Sequence, residues 1–567
     1  MQEKDAGLYW TPHGGNGTKL MWASCHEYTS VVENGDGSKS TDRILVDLGQ
    51  FESPDKISDN KYSKIIPDVS ALIDVPGHEN DDVKAQAILL THGHSDHFDS
   101  VFEYARMGAK LPPIYGSEYT LRLLKEGFVS RGMKWEDHVD LHTIKENDVL
   151  TLGSMTVEVV TAPHSIPGSL GFKISNPSAS IFHSGDIKLE EKSFIRQGAD
   201  LSQLARLGDD GIDLAVMDAC GAAKTGHAYG LQDEFDVCCE QFGKHEGKQV
   251  VVVLPPAHVE LIACVMAAAK ESGREVVVEG GPIMESHLLG LEVGELQDKF
   301  PNFVESADKL KDKNNSVVIT CGIHAGETDG DEYSPFLHGL RRGEKFAPMQ
   351  DDAVVLIAEK KDVLVPFIEK VYPEAKIYTA ADKGLERLHA PGHACSEDLQ
   401  DLFKLLKPKC VAPVHTSEEN RGTFNKDAVK NGWTIVEGNR SVQNGDTVKV
   451  VSGQPARIVD SRTERAFCFD HEIVQTVLDN GLFRMDVKQS DVYYGVSYAA
   501  LGITGDKTTE KPQEFSYQPS KRERRKLCEK NKEQYLQDKQ AEAKRKQAVF
   551  KKQTAALALK GKKGDGR

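Results

Sequence analysis

The chain has 567 residues, 39% hydrophobic and 28% charged, with 70 Lys and Arg against 87 Asp and Glu for a formal charge of -17. That length exceeds what one hydrophobic core supports, at roughly 100–200 residues per domain, and the composition excludes a collagen-like or wholly disordered polymer. The charge is uneven: residues 521–567 hold 17 Lys and Arg against 6 Asp and Glu, a net +11, so the preceding 520 residues carry -28. A basic tail on an acidic body keeps nucleic acid among the partners that charge permits. The ten cysteines form no CxxC pair, which fits a reducing cytoplasm better than a disulfide framework. The start MQEKDAGLYW has no basic and apolar leader pattern, and the greasiest stretch is interrupted by Pro255, Pro256, His258 and Glu260. Neither a secretory signal nor a membrane span is expected.

Along the first part of the chain, four apolar runs end in polar residues: RILVDLG at Asp47, AQAILLTHGH at His92, MTVEVVTAPH at His164 and ASIFHSGD at Asp186. With helical patterns such as EYTLRLLKEGF between them, they read as an α/β layered domain over residues 1–203. A second α/β pattern runs over residues 204–388, with strands IDLAVMD, KQVVVVL, EVVVEGG, NSVVITCG and DAVVLIA and a helix over HVELIACVMAAAK. The amphipathic helix CSEDLQDLFKLLK then leads into the strand CVAPVH. The strand-then-histidine device returns there, so residues 389–455 are expected to complete the first domain around an insertion. Residues 456–520 read as a small mixed region with β-like patches, and 521–567 as a charged helical or disordered tail.

The densest chemistry is THGHSDHFD, which sets His92, His94, Asp96 and His97 within six residues. Imidazole and carboxylate ligands suit zinc, and an i, i+2 pair on an extended segment points His92 and His94 to one side. His164, Asp186 and His415 each follow an apolar strand too. Singly, such a residue is more often a turn or cap residue. Together the set holds two ions: His92, His94 and His164 on one, Asp96, His97 and His415 on the other, with Asp186 bridging. The nitrogen ligands favour zinc, and the carboxylates accept manganese.

Asp47, the HxHxDH run, TAPHSIPGS, FHSGDIK, LARLGDDGIDLAVMD, HAPGHA, LKPKCVAPVH and the NGD turn resemble the β-CASP nucleases of the metallo-β-lactamase superfamily, and among them the RNase J family, from about Ile44 to Asp446. The resemblance implies an α/β fold: a metallo-β-lactamase αββα sandwich, an inserted β-CASP α/β domain and a C-terminal extension with a basic tail. It also implies a cytoplasmic zinc-dependent ribonuclease with two ions per chain. Such an enzyme cleaves single-stranded RNA as an endonuclease, a 5′-to-3′ exonuclease or both, in RNA processing or decay, as a homodimer or homotetramer. Asp218 of AVMDACG matches the first β-CASP motif, His393 of HAPGHA the second, and His415 the third, where histidine resembles the RNA-directed members.

On that carry-over Asp47, Asp186 and His393 serve catalysis, and Asp218, Gly392 and His393 meet substrate. Two ions about 3.5–4 Å apart activate a shared water and stabilise the attacking and leaving oxygens of an in-line displacement. Asp47 orients a ligand histidine and accepts a proton; His393 binds the scissile phosphate or protonates the leaving oxygen. Three loops depart from the family pattern: PPAHVE brings Glu260 near where a cation is expected, GIHAGE runs from Gly322 to Glu327, and IAEKKDV begins at Ile357 and carries Lys360 and Lys361. The Lys/Arg clusters of the tail suit RNA backbone contact by counterion release. The competing expectation is a hydrolase of a small ester, lactone or thioester with the same metal site.

Overall fold

Strands buried on both faces between helices and a facing sheet set the layers of the computed structural model, which describes residues 5–16, 23–52, 62–78, 80, 82–190, 193–195, 200–281, 284, 300, 302–304, 306–322, 334–358, 364–437, 441–462, 465–470 and 492–497. The basic tail, the GIHAGE residues after Gly322 and the Lys360–Lys361 pair lie outside these residues.

Gly7–Gly14, Cys25–Glu33 and Lys39–Val46 form an antiparallel run. Parallel strands Ile88–Leu89, Ile114–Gly116 and Leu141–Thr143 extend it on one side, and Asp446–Val450 and Arg457–Ser461 on the other, giving an eight-stranded sheet. A six-stranded sheet faces it, in the order Val411–Val414, Leu214–Asp218, Ala179–His183, Leu170–Asn176, Met155–Thr161 and Val149–Leu152. Period-2 alternation splits the side chains of each sheet. Trp10, Ile44, Val46 and Leu89 of the first pack against Val157, Phe172, Ile181, Val216 and Val414 of the second.

The opposite faces carry helices. Ser100–Arg106 and Glu118–Ser130 cover the first sheet through Phe102, Leu124 and Phe128. Leu201–Asp209, Ser396–Leu406 and Glu418–Lys430 cover the second through Leu204, Leu207, Leu402, Phe403 and Phe424. The result is the expected αββα sandwich. Each fully buried apolar side chain in these layers contributes about 1.5–3 kcal/mol of transfer free energy.

The inserted unit is a six-stranded parallel sheet with Val250–Leu254 near its middle. VVVVL buries both faces, as its unbroken apolarity requires. Val250 and Val252 meet the helices Leu231–Lys244 and Val259–Glu271, while Val251 and Val253 meet Leu337, Leu340 and Ile368.

One expectation is corrected. IDLAVMD, read as the first strand of the insertion, belongs to the sandwich: Leu214–Asp218 lies between Ala179–His183 and Val411–Val414, parallel to both. The chain therefore leaves the sandwich after Asp218, later than residue 204, and is back on it with the helix Ser396–Leu406, ahead of the strand Val411–Val414. The strand's apolar pattern suits either sheet, and its partner Val411–Val414 is too far along the chain for local pattern to reveal. Among the described residues no helix is long and apolar enough to cross a membrane.

Candidate metal centre

The candidate residues follow strand ends at one edge of the sandwich. Lys39–Val46 and Ile88–Leu89 run parallel, as do Ala179–His183, Leu214–Asp218 and Val411–Val414, so their C-terminal ends deliver Asp47, the THGHSDH turn, Asp186, Asp218 and His415 to a common cleft. Two of these residues have left-handed backbones, Asp47 at φ 62° and His415 at φ 50°. Such conformations are costly for non-glycine residues and persist where surrounding structure enforces them, often at functional sites.

The THGHSDH turn is pinned through its backbone. Ser24 N donates to Asp96 O at 2.8 Å and Leu48 N to His97 O at 2.8 Å. Gly49 allows this approach, since a Cβ there would fall 1.6 Å from Asp96 O.

Around the first group, His94 Nδ1 lies 3.0 Å from His92 Nε2 and 3.2 Å from His164 Nε2. Asp186 Oδ2 is 3.7 Å from His92 Nε2 and 3.6 Å from His164 Nε2. A tetrahedral ion with bonds of about 2.0–2.1 Å separates its ligand atoms by roughly 3.3 Å, so these spacings fit one. In the second group Asp186 Oδ1 lies 3.4 Å from His97 Nε2 and 3.6 Å from His415 Nδ1. Asp96 Oδ2 lies 3.1 Å from His415 Nε2 and 3.9 Å from His97 Nε2, so His415 offers one nitrogen to the Asp96–His97 group and turns the other toward Asp186. His97 Nε2 and Asp186 Oδ1 are buried without a hydrogen bond, a costly arrangement that a cation between them relieves. The donor set therefore fits metal ions.

The outer partners orient the rings. The Gly392 carbonyl can only accept, so His164 Nδ1 donates to it at 2.7 Å and leaves Nε2 facing the cleft. Asp47 Oδ2 accepts from His97 Nδ1 at 2.7 Å and from Ser24 Oγ at 3.3 Å, while Asp47 Oδ1 accepts from Thr91 N at 2.8 Å. Thr91 Oγ1 also reaches Asp47 Oδ2 at 2.9 Å and lies 3.0 Å from His92 Nδ1. Such partners fix tautomer and ring orientation at metal sites.

The electrostatics divide the histidines. Burial holds His92 and His164 well below the usual imidazole range and His94 at about 4, and the neutral ring is the form that donates to a metal. Burial also opposes charge on His97 and His415, but Asp186 and its neighbours outweigh it, raising His97 to about 10 and His415 well above its ordinary value. For Asp186, burial is overcome by His415 and His97, which hold the carboxyl well below the usual range.

Beside the metal-type groups, His393 donates Nδ1–H to Asp218 Oδ2 at 2.7 Å, and its side chain remains 23% exposed while Asp218 is fully buried. Burial opposes charge on His393, but Cys220 and Asp218 raise its pKa well above the ordinary value. Asp218 is itself held by Ile187 N at 3.2 Å and Cys220 N at 2.9 Å. The candidate catalytic, substrate-contacting and metal-ligating residues named from the sequence thus gather at one edge of the sandwich. Gly392 does so through its carbonyl on His164.

Two neighbours were missed. Thr91 adjoins His92, and Cys220 stands two residues beyond Asp218 in MDACG; adjacency to a motif was the available signal. Burial would raise the Cys220 thiol, but His393 and His415 outweigh it and bring it to about 7. Glu260, expected near a cation's place, is buried; its carboxylate accepts from Ser193 Oγ at 2.7 Å and its N–H donates to Ser165 O at 3.0 Å.

Residues 66–232 match the β-lactamase superfamily domain, and residues 384–436 match the Zn-dependent metallo-hydrolase RNA specificity domain. With the αββα fold and the His/Asp cluster, these matches support a metal-dependent hydrolase with a metallo-β-lactamase-type fold. The chain is similar to Ribonuclease J2 of Bacillus subtilis, 26% identical with 74% of this chain and 73% of that protein covered. It is also similar to Ribonuclease J of Thermus thermophilus at 28%, covering 64% and 62%, and of Corynebacterium glutamicum at 24%, covering 65% and 51%. The matched region thus spans about half to three quarters of these relatives' own length. A solved structure described as a protein of unknown function from Enterococcus faecalis V583 shares the fold, with a TM-score of 0.53 at 15% identity over 79% of this chain and 100% of that one. The chain is thus divergent and RNase J-like.

Proposed function

We propose that the chain is a zinc-dependent ribonuclease that hydrolyses phosphodiester bonds of single-stranded RNA with two ions in this cleft. The observation that carries the reading is that Gly392, His393 and His415, all within the segment matching the RNA specificity domain, close over the His/Asp cluster supplied by the rest of the sandwich. His92, His94 and His164 would hold one ion and Asp96, His97 and His415 the other, with Asp186 presenting Oδ2 to the first group and Oδ1 to the second. Zinc or manganese held there would supply an activated water and charge stabilisation for the phosphate oxygens.

Asp47 acts through His97, whose ring it orients. Asp218 holds His393 with its Nδ1 proton inward, leaving Nε2 for the scissile phosphate or the leaving oxygen. We assign the sandwich to the residues up to Asp218 and from the helix Ser396–Leu406 onward, and the substrate-side insertion to the excursion between them. The enzyme acts in the cytoplasm as a homodimer or homotetramer.

The test is cleavage of 5′-labelled and 3′-labelled single-stranded RNA, bearing 5′-monophosphate or 5′-hydroxyl ends, by wild type and His94→Ala, with matched DNA as control. Metal-dependent RNA cleavage that His94→Ala abolishes is the expected result, and the label pattern distinguishes endonucleolytic from 5′-to-3′ action. A protein that binds two ions and leaves RNA uncut would overturn the reading and favour hydrolysis of a small ester, lactone or thioester.

A further inference from the structure

Cys220 borders the cleft and has no part in the chemistry above. Its backbone is held from both sides: the Asp218 carboxylate accepts its N–H at 2.9 Å, and Asn420 Nδ2 donates to its carbonyl at 2.8 Å. The half-buried cysteine is thus anchored through its backbone beside the two histidines. Its sulfur and one ring nitrogen each of His393 and His415 all lie within 4.8 Å of one another. The two rings stack with centroids 5.3 Å apart at 20°, so both present their edges to the same space.

One thiolate and two imidazoles form a donor set for soft and borderline ions such as cadmium, zinc or copper(I), unlike the His and Asp groups deeper in the cleft. A tetrahedral ion with a metal–sulfur bond of about 2.3 Å and metal–nitrogen bonds of about 2.0–2.1 Å needs its ligands roughly 3.3–3.6 Å apart.

We infer that Cys220, His393 and His415 form a third site, for a thiophilic divalent cation, whose filling inhibits the enzyme. Binding releases the thiol proton. It withdraws His393 from the substrate and His415 from the second ion group, so a cation here competes with the ion of that group. Excess zinc or cadmium thus inhibits by taking both imidazoles out of the proposed reaction. The inference shares His415 with the proposed two-ion centre but holds whether or not that centre cleaves RNA.

The test titrates the full-length, zinc-reconstituted protein with cadmium and reads thiolate-to-cadmium charge-transfer absorption, for wild type, Cys220→Ser, Cys220→Ala and His94→Ala. Far-ultraviolet circular dichroism identifies the folded variants. The expected result is a saturable band in wild type, retained in His94→Ala and lost in both Cys220 variants. Inhibition of hydrolysis by cadmium should weaken in parallel. A wild-type protein without the band, or folded Cys220 variants that keep it, would overturn the inference. A wild-type protein that shows the band and leaves RNA uncut would count against the proposed function alone and leave this inference standing.

Discussion

Gly392→Ala tests whether the RNA-specificity segment sets the metal geometry from outside. A Cβ at this position would fall 2.9 Å from His164 Cε1 and 3.2 Å from its Nδ1. Ordinary carbon contacts need about 3.5–4.0 Å, so the ring must retreat by roughly 0.5 Å. It has little room, being 1% exposed, and its Nδ1 is tied to the Gly392 carbonyl at 2.7 Å. The displacement passes to Nε2, which sits 3.2 Å from His94 Nδ1 and 3.6 Å from Asp186 Oδ2. Functional geometry is lost at about 0.5 Å of misplacement, and disturbing an orienting partner typically costs about 10–100-fold in metal affinity or activity. That range is expected for the first ion and for RNA hydrolysis, with about 1–3 kcal/mol of overpacking cost to stability. Metal content after dialysis against a weak chelator, with turnover on labelled RNA, measures both. Full metal content and a rate within about twofold of wild type, well short of the 10–100-fold range, would refute the reasoning.

Asp47→Asn keeps a residue suited to the left-handed backbone but places an amide NH2 against donors, because both Asp47 oxygens accept hydrogen bonds. The second ion should bind about 10–100-fold more weakly, which a zinc titration followed by calorimetry reads; unchanged affinity would show that Asp47 does not orient His97. The raised pKa of His393 keeps its acid form, and the stability that form contributes, fully present below the ordinary imidazole value; both are lost as pH rises through the raised one. Asp218→Asn removes the partner at 2.7 Å and should move the alkaline limb of the rate profile to lower pH. An unmoved limb would assign that limb to another group. Stripping the ions leaves His97 Nε2 and Asp186 Oδ1 buried without hydrogen bonds, so the apoprotein should melt lower. Zinc at 100 times its Kd should restore about 2.7 kcal/mol, and an unchanged Tm in scanning fluorimetry would count against metal in the cleft.

THGHSDHFD was legible because its ligands lie within one turn, where spacing alone turns His92 and His94 to one side. His164, Asp186 and His415 were legible because each ends an apolar run. Cys220 was passed over because nothing local separates a thiol facing two imidazoles from any buried cysteine. The loops carrying Lys360, Lys361 and the residues after Gly322 offer no comparison, since they lie outside the described residues.

The amino-acid sequence by itself determined the layers, through period-2 strands and amphipathic helices, and the identity of the metal-type side chains. Tertiary structure decided how those side chains are grouped and oriented. His415 reaches Asp96 across 319 positions, and Gly392 holds His164 across 228. The strand Leu214–Asp218 joined the sandwich and not the insertion because its partner Val411–Val414 returns beside it. Ring tautomers, the left-handed backbones of Asp47 and His415 and the placing of Cys220 depend on contacts between chain segments that no local pattern encodes. Hydrogen-bond partners and close packing are satisfied in three dimensions, and separation along the chain does not enter the energy of a contact once it has formed.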